Sequence, residues 1–433
     1  MELRPVFWLP LLLALHIALA LGYRAVLPLF NWPDEPAHLN RVRAVASGDV
    51  LPTMEPGAWA PAELEALKQR HFADVTSDDP MLLRFAYEHH QPPVYYVLAA
   101  VVWRLAPRPE LVKLVNLALS CLVVCVPLAL ARARGWKDRW PALLATVLLA
   151  LSPMRCFMAV SIGNGVLTEL LFGVFTVAIA ARCPPALVGT IIGIGTLTQI
   201  PMLLALPLYL VWLRLDGEGP SWRGIVRSGA VASAVVLAVV LPWIGHNVLA
   251  YGAGDPLALE VGAFGSDAET AVAMGAQRPR LTLLGEHGIG AFSWRLFTSW
   301  WGAFGWMEMF PDPWAALVYL GLTAVVLVGL IIGWREPERT RISTDRDEVR
   351  RLIAWNWCAV ALATTAVAVY SLADFQPQGR YLLLVSIASS ILFGVGARAA
   401  MGRRTALFAS AAVLILVATN IFNLRWVIPW YLQ

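Results

Sequence analysis

Apolar runs of roughly 18 or more residues recur along the whole chain, which is the signal of helices that span a bilayer. They cover about 5–23, 93–106, 112–131, 141–158, 165–181, 186–198, 200–213, 229–249, 314–334, 353–373, 381–397 and 405–422. Composition agrees: 58% of the 433 residues are hydrophobic and 14% charged, and the mean hydropathy is +0.64. Soluble domains run at about 45–50% apolar and about 25% charged. The expected fold class is all-α and polytopic, a single integral membrane domain over 1–433. A formal net charge of +4 is too small to point to nucleic acid, so the placement of the basic residues carries the information.

Four connections between the runs are distinctly basic. They hold Arg132, Arg134, Lys137 and Arg139; Arg214, Arg223 and Arg227; Arg335, Arg339, Arg341, Arg346, Arg350 and Arg351; and Arg398, Arg403 and Arg404. The positive-inside rule places all four in the cytoplasm. With the N-terminus also cytoplasmic, 93–106 cannot be a full span, or every later basic loop would lie outside. This segment is short, starts at Pro92-Pro93 and is bounded by Pro107 and Pro109. It is expected to lie in the outer interface, which leaves about eleven spans and a C-terminus outside.

Two long polar stretches then face outward. The first polar stretch, 24–92, continues through the interfacial segment to make an outer loop over 24–111, and the second outer loop is 250–312. Loops of this length are functional or disordered, and the first carries Trp, Phe, His and Pro, a composition that is not that of a disordered segment. Within it, Ala62–Phe72 reads as a short amphipathic helix. All five cysteines (Cys121, Cys125, Cys156, Cys183, Cys358) lie in or beside apolar runs and read as buried thiols acting as small hydrophobes. Trp294, Trp300, Trp301, Trp306 and Trp314 sit near run ends, as interfacial belts do. Ala18-Leu19-Ala20 resembles a signal cleavage site. The basic leader is only Arg4 and the apolar run continues past it, so an uncleaved first span is expected.

Three polar clusters stand at the outer ends of these helices. Trp32-Pro33-Asp34-Glu35-Pro36-Ala37-His38 puts two adjacent carboxylates where water meets hydrocarbon. Desolvation there favours a raised pKa and a general-base role, while an acidic helix cap is the structural alternative. Glu88-His89-His90-Gln91-Pro92-Pro93-Val94-Tyr95-Tyr96 offers donors and aromatic rims suited to a lipid head group, or simply a proline-capped helix with tyrosine anchors. In Asp374-Phe375-Gln376-Pro377-Gln378-Gly379-Arg380-Tyr381, Arg380 precedes an apolar helix. A cation there needs a partner, either a phosphate or Asp374. His38, His71, His89 and His90 share the first outer loop with several acids, which raises a divalent metal as a possible cofactor. No spacing matches a ligand motif, so solvated loop residues are the plainer reading.

In this order, the clusters resemble the GT-C superfamily of membrane glycosyltransferases, which includes protein O-mannosyltransferases and the lipid A aminoarabinose transferase. More closely, the chain resembles an uncharacterised bacterial family of predicted multi-pass membrane proteins within or near that group. The stretches that carry the resemblance span most of the chain. They are Pro33–His38, His90–Tyr96, Gly193–Gln199, Trp300-Trp301-Gly302-Ala303-Phe304-Gly305-Trp306 and Gln378–Tyr381. The resemblance implies a GT-C bundle, a polyprenyl-phosphate-linked sugar as donor partner, and contact with membrane lipid. It gives catalysis to Asp34 with Glu35, and donor-phosphate binding to His89, His90, Gln91 and Arg380. It implies substrate contacts from His38, Tyr95, Tyr96, Asn164, Gln378 and Tyr381, and no assigned metal ligand. Two departures stand out. Relatives carry an Asp in the short outer loop where this chain reads Ser161-Ile162-Gly163-Asn164-Gly165, and some carry Lys before the Pro-Pro pair where this chain has histidine and glutamine.

The resulting expectation is an inverting sugar transfer to an envelope acceptor at the outer face of a bacterial inner membrane. The alternatives are a non-catalytic partner in envelope polysaccharide assembly, or a lipid or solute transporter. Transporters place ionisable groups near mid-membrane. Here such groups concentrate outside, with His16, Lys113 and Glu169 left to be located.

Overall fold

The computed structural model describes residues 8–216, 220–264, 288–373 and 375–432. Six stretches of helix among them are long and apolar enough to cross a membrane: Trp8–Val26, Pro109–Ala133, Trp222–Tyr251, Pro313–Arg335, Arg346–Leu372 and Gly379–Val427, the last containing two of the expected segments. The other apolar segments form shorter helices. Trp140–Leu151 runs on, after a break at Ser152, into Pro153–Met158. Gly165–Ala180 is continuous, whereas Pro185–Thr196 and Ile200–Leu215 are separated by the break at Gln199. Proline explains these breaks, because its ring excludes one backbone hydrogen bond and restricts the residue before it.

We label the helices used below α1 (Trp8–Val26), α2 (Glu35–Ser47), α3 (Pro61–Gln69), α4 (Val94–Leu105), α5 (Pro109–Ala133), α6 (Trp140–Leu151), α7 (Pro153–Met158), α8 (Gly165–Ala180), α9 (Pro185–Thr196), α10 (Ala205–Leu215), α11 (Trp222–Tyr251), α12 (Leu259–Phe264), α13 (Gly288–Trp301), α14 (Pro313–Arg335), α15 (Arg346–Ala373) and α16 (Ser386–Met401). The bundle packs closely where side chains are small. A Cβ on Gly329 of α14 would fall 1.8 Å from the Gly396 carbonyl oxygen of α16. Small residues at such crossings let backbones approach where apolar burial gives little drive.

Hydrogen bonds and ion pairs sort the connections into two ends. At one end Arg134 meets Glu348 at 2.8 Å, Arg398 meets Asp138 at 2.7 Å, and Arg182 meets Asp216 at 3.1 Å. The Arg134 guanidinium lies 5.4 Å from the Trp212 ring centroid, and the 137–138 backbone bonds to 341–342. All four basic connections therefore share this end. At the other end the Trp306 indole donates to the Phe30 carbonyl at 3.1 Å, and the Met54 amide donates to the Tyr251 hydroxyl at 2.9 Å. The Val94 amide there donates to the Leu197 carbonyl at 2.9 Å.

This second end carries a platform with its own apolar core, which includes Phe30, Val42, Phe72, Phe85, Tyr95, Tyr96 and Ile162. The expected amphipathic helix at 62–72 appears as α3. α4 has 12 residues, a rise of roughly 18 Å against about 30 Å of hydrocarbon, so it does not span. It buries Tyr95, Tyr96, Ala99 and Ala100 and turns Val97, Leu98, Val101 and Leu105 outward. Its outward face is thus apolar.

Three expectations need correction. Cys358 is exposed on the bundle surface rather than buried. Trp301 is a core residue, stacked on Tyr319 at 4.4 Å between ring centroids, although Trp294 and Trp314 do face outward. The bundle interior is also not free of charge. Arg155 of α7, which the apolar reading of 141–158 passes over, pairs with Glu169 of α8 at 2.7 Å. His16 of α1 bonds Ser120 of α5 at 2.9 Å, and Ser386 donates to Glu169. These groups answer one another, as buried charges in a membrane bundle must.

Candidate active site

The chain leaves α1 at Val26, turns through Pro28 and Pro33, and enters α2 at Glu35. Asp34 occupies the position before this helix with φ 63°, a left-handed conformation that non-glycine residues adopt uncommonly. Its side chain makes no capping bond. Instead the carboxylate turns away from α2 and pairs with Arg380 at 2.9 Å, while the Tyr87 hydroxyl donates to it at 3.3 Å.

Arg380 is delivered by the 3-10 turn Gly379–Val385. The Gly379 amide donates to the Ser299 hydroxyl of α13 at 2.7 Å. A Cβ at Gly379 would sit 2.1 Å from the Trp300 nitrogen, so only glycine permits this approach. The guanidinium is oriented by its own neighbours: Nε donates to Gln378 at 2.6 Å, and the Tyr381 ring centroid lies 5.2 Å away. Gln378 and Tyr381, expected to touch substrate, here aim Arg380. Asp374, the other expected partner, lies outside the described residues.

Glu35 takes no part in the Asp34–Arg380 pair. It is fully buried and pairs with Lys113 of α5 at 2.9 Å. It also accepts from the Phe30 amide at 3.1 Å and the Ile162 amide at 2.9 Å. Lys113 lies 3.5 Å from the Trp32 ring centroid. With its oxygens occupied by these partners, Glu35 fastens the platform to the bundle. Tyr95 and Asn164 are also buried and bonded within the protein. The Tyr95 hydroxyl accepts from the Gly163 amide at 3.1 Å, and the Asn164 amide donates to Gln91 at 3.1 Å and to the Thr198 carbonyl at 3.0 Å.

The 88–91 segment closes the other side. His38 bonds the Tyr96 hydroxyl at 2.8 Å and lies 3.8 Å from Glu88. His90 Nδ1 is 2.7 Å from the Tyr87 carbonyl and its Nε2 is 3.3 Å from the Gln91 amide nitrogen. His89 Nδ1 is 3.4 Å from the Thr53 carbonyl. A carbonyl only accepts, so Nδ1 carries the proton in both rings and Nε2 of the neutral form is a lone pair. Among the described residues no three His, Cys, Asp or Glu side chains converge as metal ligands would.

Electrostatics separate these groups. Burial pushes the Asp34 carboxyl up, but Arg380 and then His38 pull harder and hold it below the usual carboxylate value. The raised value expected from its position at the interface is thereby reversed. Burial raises Glu35 against the pull of Lys113. Burial and then the Asp34 charge push Glu88 up to about 8. Burial lowers His38, His89 and His90 to about 4. Near neutral pH burial holds these rings uncharged, and a phosphate arriving beside them would favour the charged form again.

The sequence did not single out Arg41 or Tyr87, and Glu88 stood out only as one acid of the 88–91 cluster near the histidines. Arg41 follows His38 by three residues on α2, so helical spacing puts both on one face. That spacing was a usable signal.

The fold and its site define a polytopic membrane protein with the GT-C fold. Among solved structures the chain is similar to ArnT from Cupriavidus metallidurans in the apo state, with a TM-score of 0.52 at 15% identity, over 98% of this chain and 73% of that one. ArnT is the lipid A aminoarabinose transferase, a GT-C enzyme, and at this identity the likeness is one of fold. An Archaeoglobus fulgidus oligosaccharyltransferase tethered to an acceptor peptide aligns at a TM-score of 0.48 and 13% identity, over 94% of this chain and 55% of that one. No protein-family model and no curated protein sequence matches the chain.

Proposed function

We propose that the chain is a membrane glycosyltransferase that moves a sugar from a polyprenyl-phosphate donor to an envelope acceptor, with inversion, at the outer face of a bacterial inner membrane. The observation that supports this most directly is the Asp34–Arg380 pair at the end of the bundle away from the basic connections. By the positive-inside rule that end faces outward. The GT-C fold supports the donor class.

In this reading the donor phosphate takes the Arg380 guanidinium, which suits phosphate oxygens in charge and geometry. Sharing Arg380 with phosphate releases Asp34 from its strongest attraction, and its basicity rises as the donor binds. Asp34 then accepts the acceptor hydroxyl proton while that oxygen bonds to the anomeric carbon. The bond from that carbon to the phosphate oxygen breaks, and its electron pair leaves with the phosphate beside Arg380. A single displacement of this kind inverts the anomeric centre.

The test is transfer from a polyprenyl-phosphate sugar by the purified chain. Asp34→Asn is expected to abolish turnover while donor binding and folding persist. Wild-type turnover in that variant would remove Asp34 from the mechanism. A variant without phenotype in cells would favour a non-catalytic assembly role.

A further inference from the structure

Glu88 is buried beside the Asp34–Arg380 pair, and its Oε2 has no hydrogen-bond partner among the described residues. His38 Nδ1 lies 3.8 Å from it, beyond hydrogen-bond reach, and that nitrogen already bonds Tyr96. A carboxylate seated this way is costly while ionised. On its other side lies Arg41, 1% exposed. Arg41 has a bond from Nη2 to the Gln91 carbonyl at 3.1 Å and stacks over Tyr96 at 5.3 Å. Its Nε and Nη1 lack partners among the described residues.

The site therefore holds two arginines and two carboxylates, of which only Asp34 and Arg380 are joined. With Glu88 ionised the four formal charges balance. A phosphate entering beside Arg380 adds negative charge to a cluster that has none to spare. With Glu88 protonated, Arg41 keeps only the more distant charge of Asp49 and is bonded to no carboxylate among the described residues, and the phosphate supplies the missing negative charge.

Resting on the reading that this site binds a phosphate-bearing donor, we propose that Glu88 is the exchangeable counter-ion of the site. Where Glu88 is ionised before binding, it takes one proton from solvent at its carboxylate as the phosphate enters and yields its charge to the ligand; where it is already protonated, the phosphate enters without exchange. The groups that face it are consistent with this role. Asp34, and His38 and Arg41 from α2, flank it; Arg380 approaches from the 379–385 turn, Tyr96 from α4, and Tyr87 and Gln91 from its own segment. None is a second anion able to take the proton instead, except Asp34, which Arg380 holds ionised. The upward displacement of Glu88 to about 8 agrees with a proton held loosely enough to exchange.

The experiment is calorimetric binding of polyprenyl monophosphate to the full chain in nanodiscs at about pH 8.5, in buffers of different ionisation enthalpy. At that pH Glu88 is largely ionised before binding. Wild type is expected to take up most of one proton per ligand, with affinity falling about tenfold per pH unit above its titration. Glu88→Gln is expected to bind without uptake and without that pH dependence. Infrared difference spectra of wild type provide a check that needs no variant: ligand should convert one carboxylate band to a protonated carboxyl band. Binding without uptake, uptake that persists in Glu88→Gln, or uptake lost only in His90→Gln would overturn the proposal alone. No binding of the monophosphate by wild type would overturn the donor reading as well.

Discussion

Glu35 and Glu88 show how little the type of a residue says about its work. Glu35 neighbours Asp34 in sequence yet is spent on Lys113. Removing one partner of a fully buried pair strands the other charge at a cost of about 3–5 kcal/mol. Glu35→Gln is therefore expected to lower the melting temperature sharply in detergent, and Glu35→Gln with Lys113→Met to recover most of the loss. The pH dependence of stability also resolves by residue. His38, His89 and His90 are displaced down to about 4, so their contribution grows as pH rises from about 4 to the ordinary 6.5 and is then complete. Glu88 is displaced up to about 8, so the folded state holds a proton that the unfolded chain has lost, and stability falls as pH rises toward 8. Between the histidine value of about 6.5 and 8 the Glu88 effect continues after that of the histidines is complete, and it should cost wild type about 2 kcal/mol there. Thermal melts of Glu88→Gln should be flat over that window. Asp34 and Arg380 each stood out in the sequence as polar residues at a span end. Their pairing did not, because two segments far apart in the chain meet only through the tertiary fold.

Elements were easier to foresee than their junctions. Helices show in apolar runs, and α4 was legible as interfacial because charge parity excluded another span. The 3-10 turn that delivers Arg380 was not, since its course is set by Ser299 and Trp300 of α13 rather than by its own residues. That dependence can be tested. Gly379→Ala places a methyl against the Trp300 backbone, so the turn must move off α13 and carry Arg380 with it. A displacement of about 1 Å at a catalytic group costs on the order of 100-fold. Transfer activity is expected to fall by about that factor while α13 and the bundle stay folded, as read by circular dichroism and size exclusion. Ser299→Ala, which removes one hydrogen bond and adds no bulk, should lose much less.

For the whole molecule, the distribution of arginine proved as informative as hydropathy. The four basic connections meet at one end because Arg134, Arg182 and Arg398 each find an acid there. The proposed orientation rests on the positive-inside rule, and labelling tests it. In a cysteine-depleted background, a thiol at Asp49 should react with an impermeant reagent from the outer side. A thiol at Arg403 should react only after the membrane is opened. Reactivity in the opposite sense would put the site in the cytoplasm. The length of individual spans was less legible, since a break at Ser152 shortens a helix that hydropathy reads as continuous, whereas the break at Gln199 falls between two runs that hydropathy already separates.

The Lys113–Glu35 pair has a mechanical consequence. It rivets a platform lying at the water boundary to a helix that crosses the bilayer, near that helix's outer end. A crossing helix answers a thicker or thinner bilayer by changing its tilt. Through the rivet, a change of tilt in α5 would swing the floor beneath Asp34 relative to the turn that holds Arg380. Sugar transfer measured in bilayers of graded acyl length should therefore peak at one thickness. Cutting the rivet with the uncharged pair Glu35→Gln and Lys113→Met should broaden that peak.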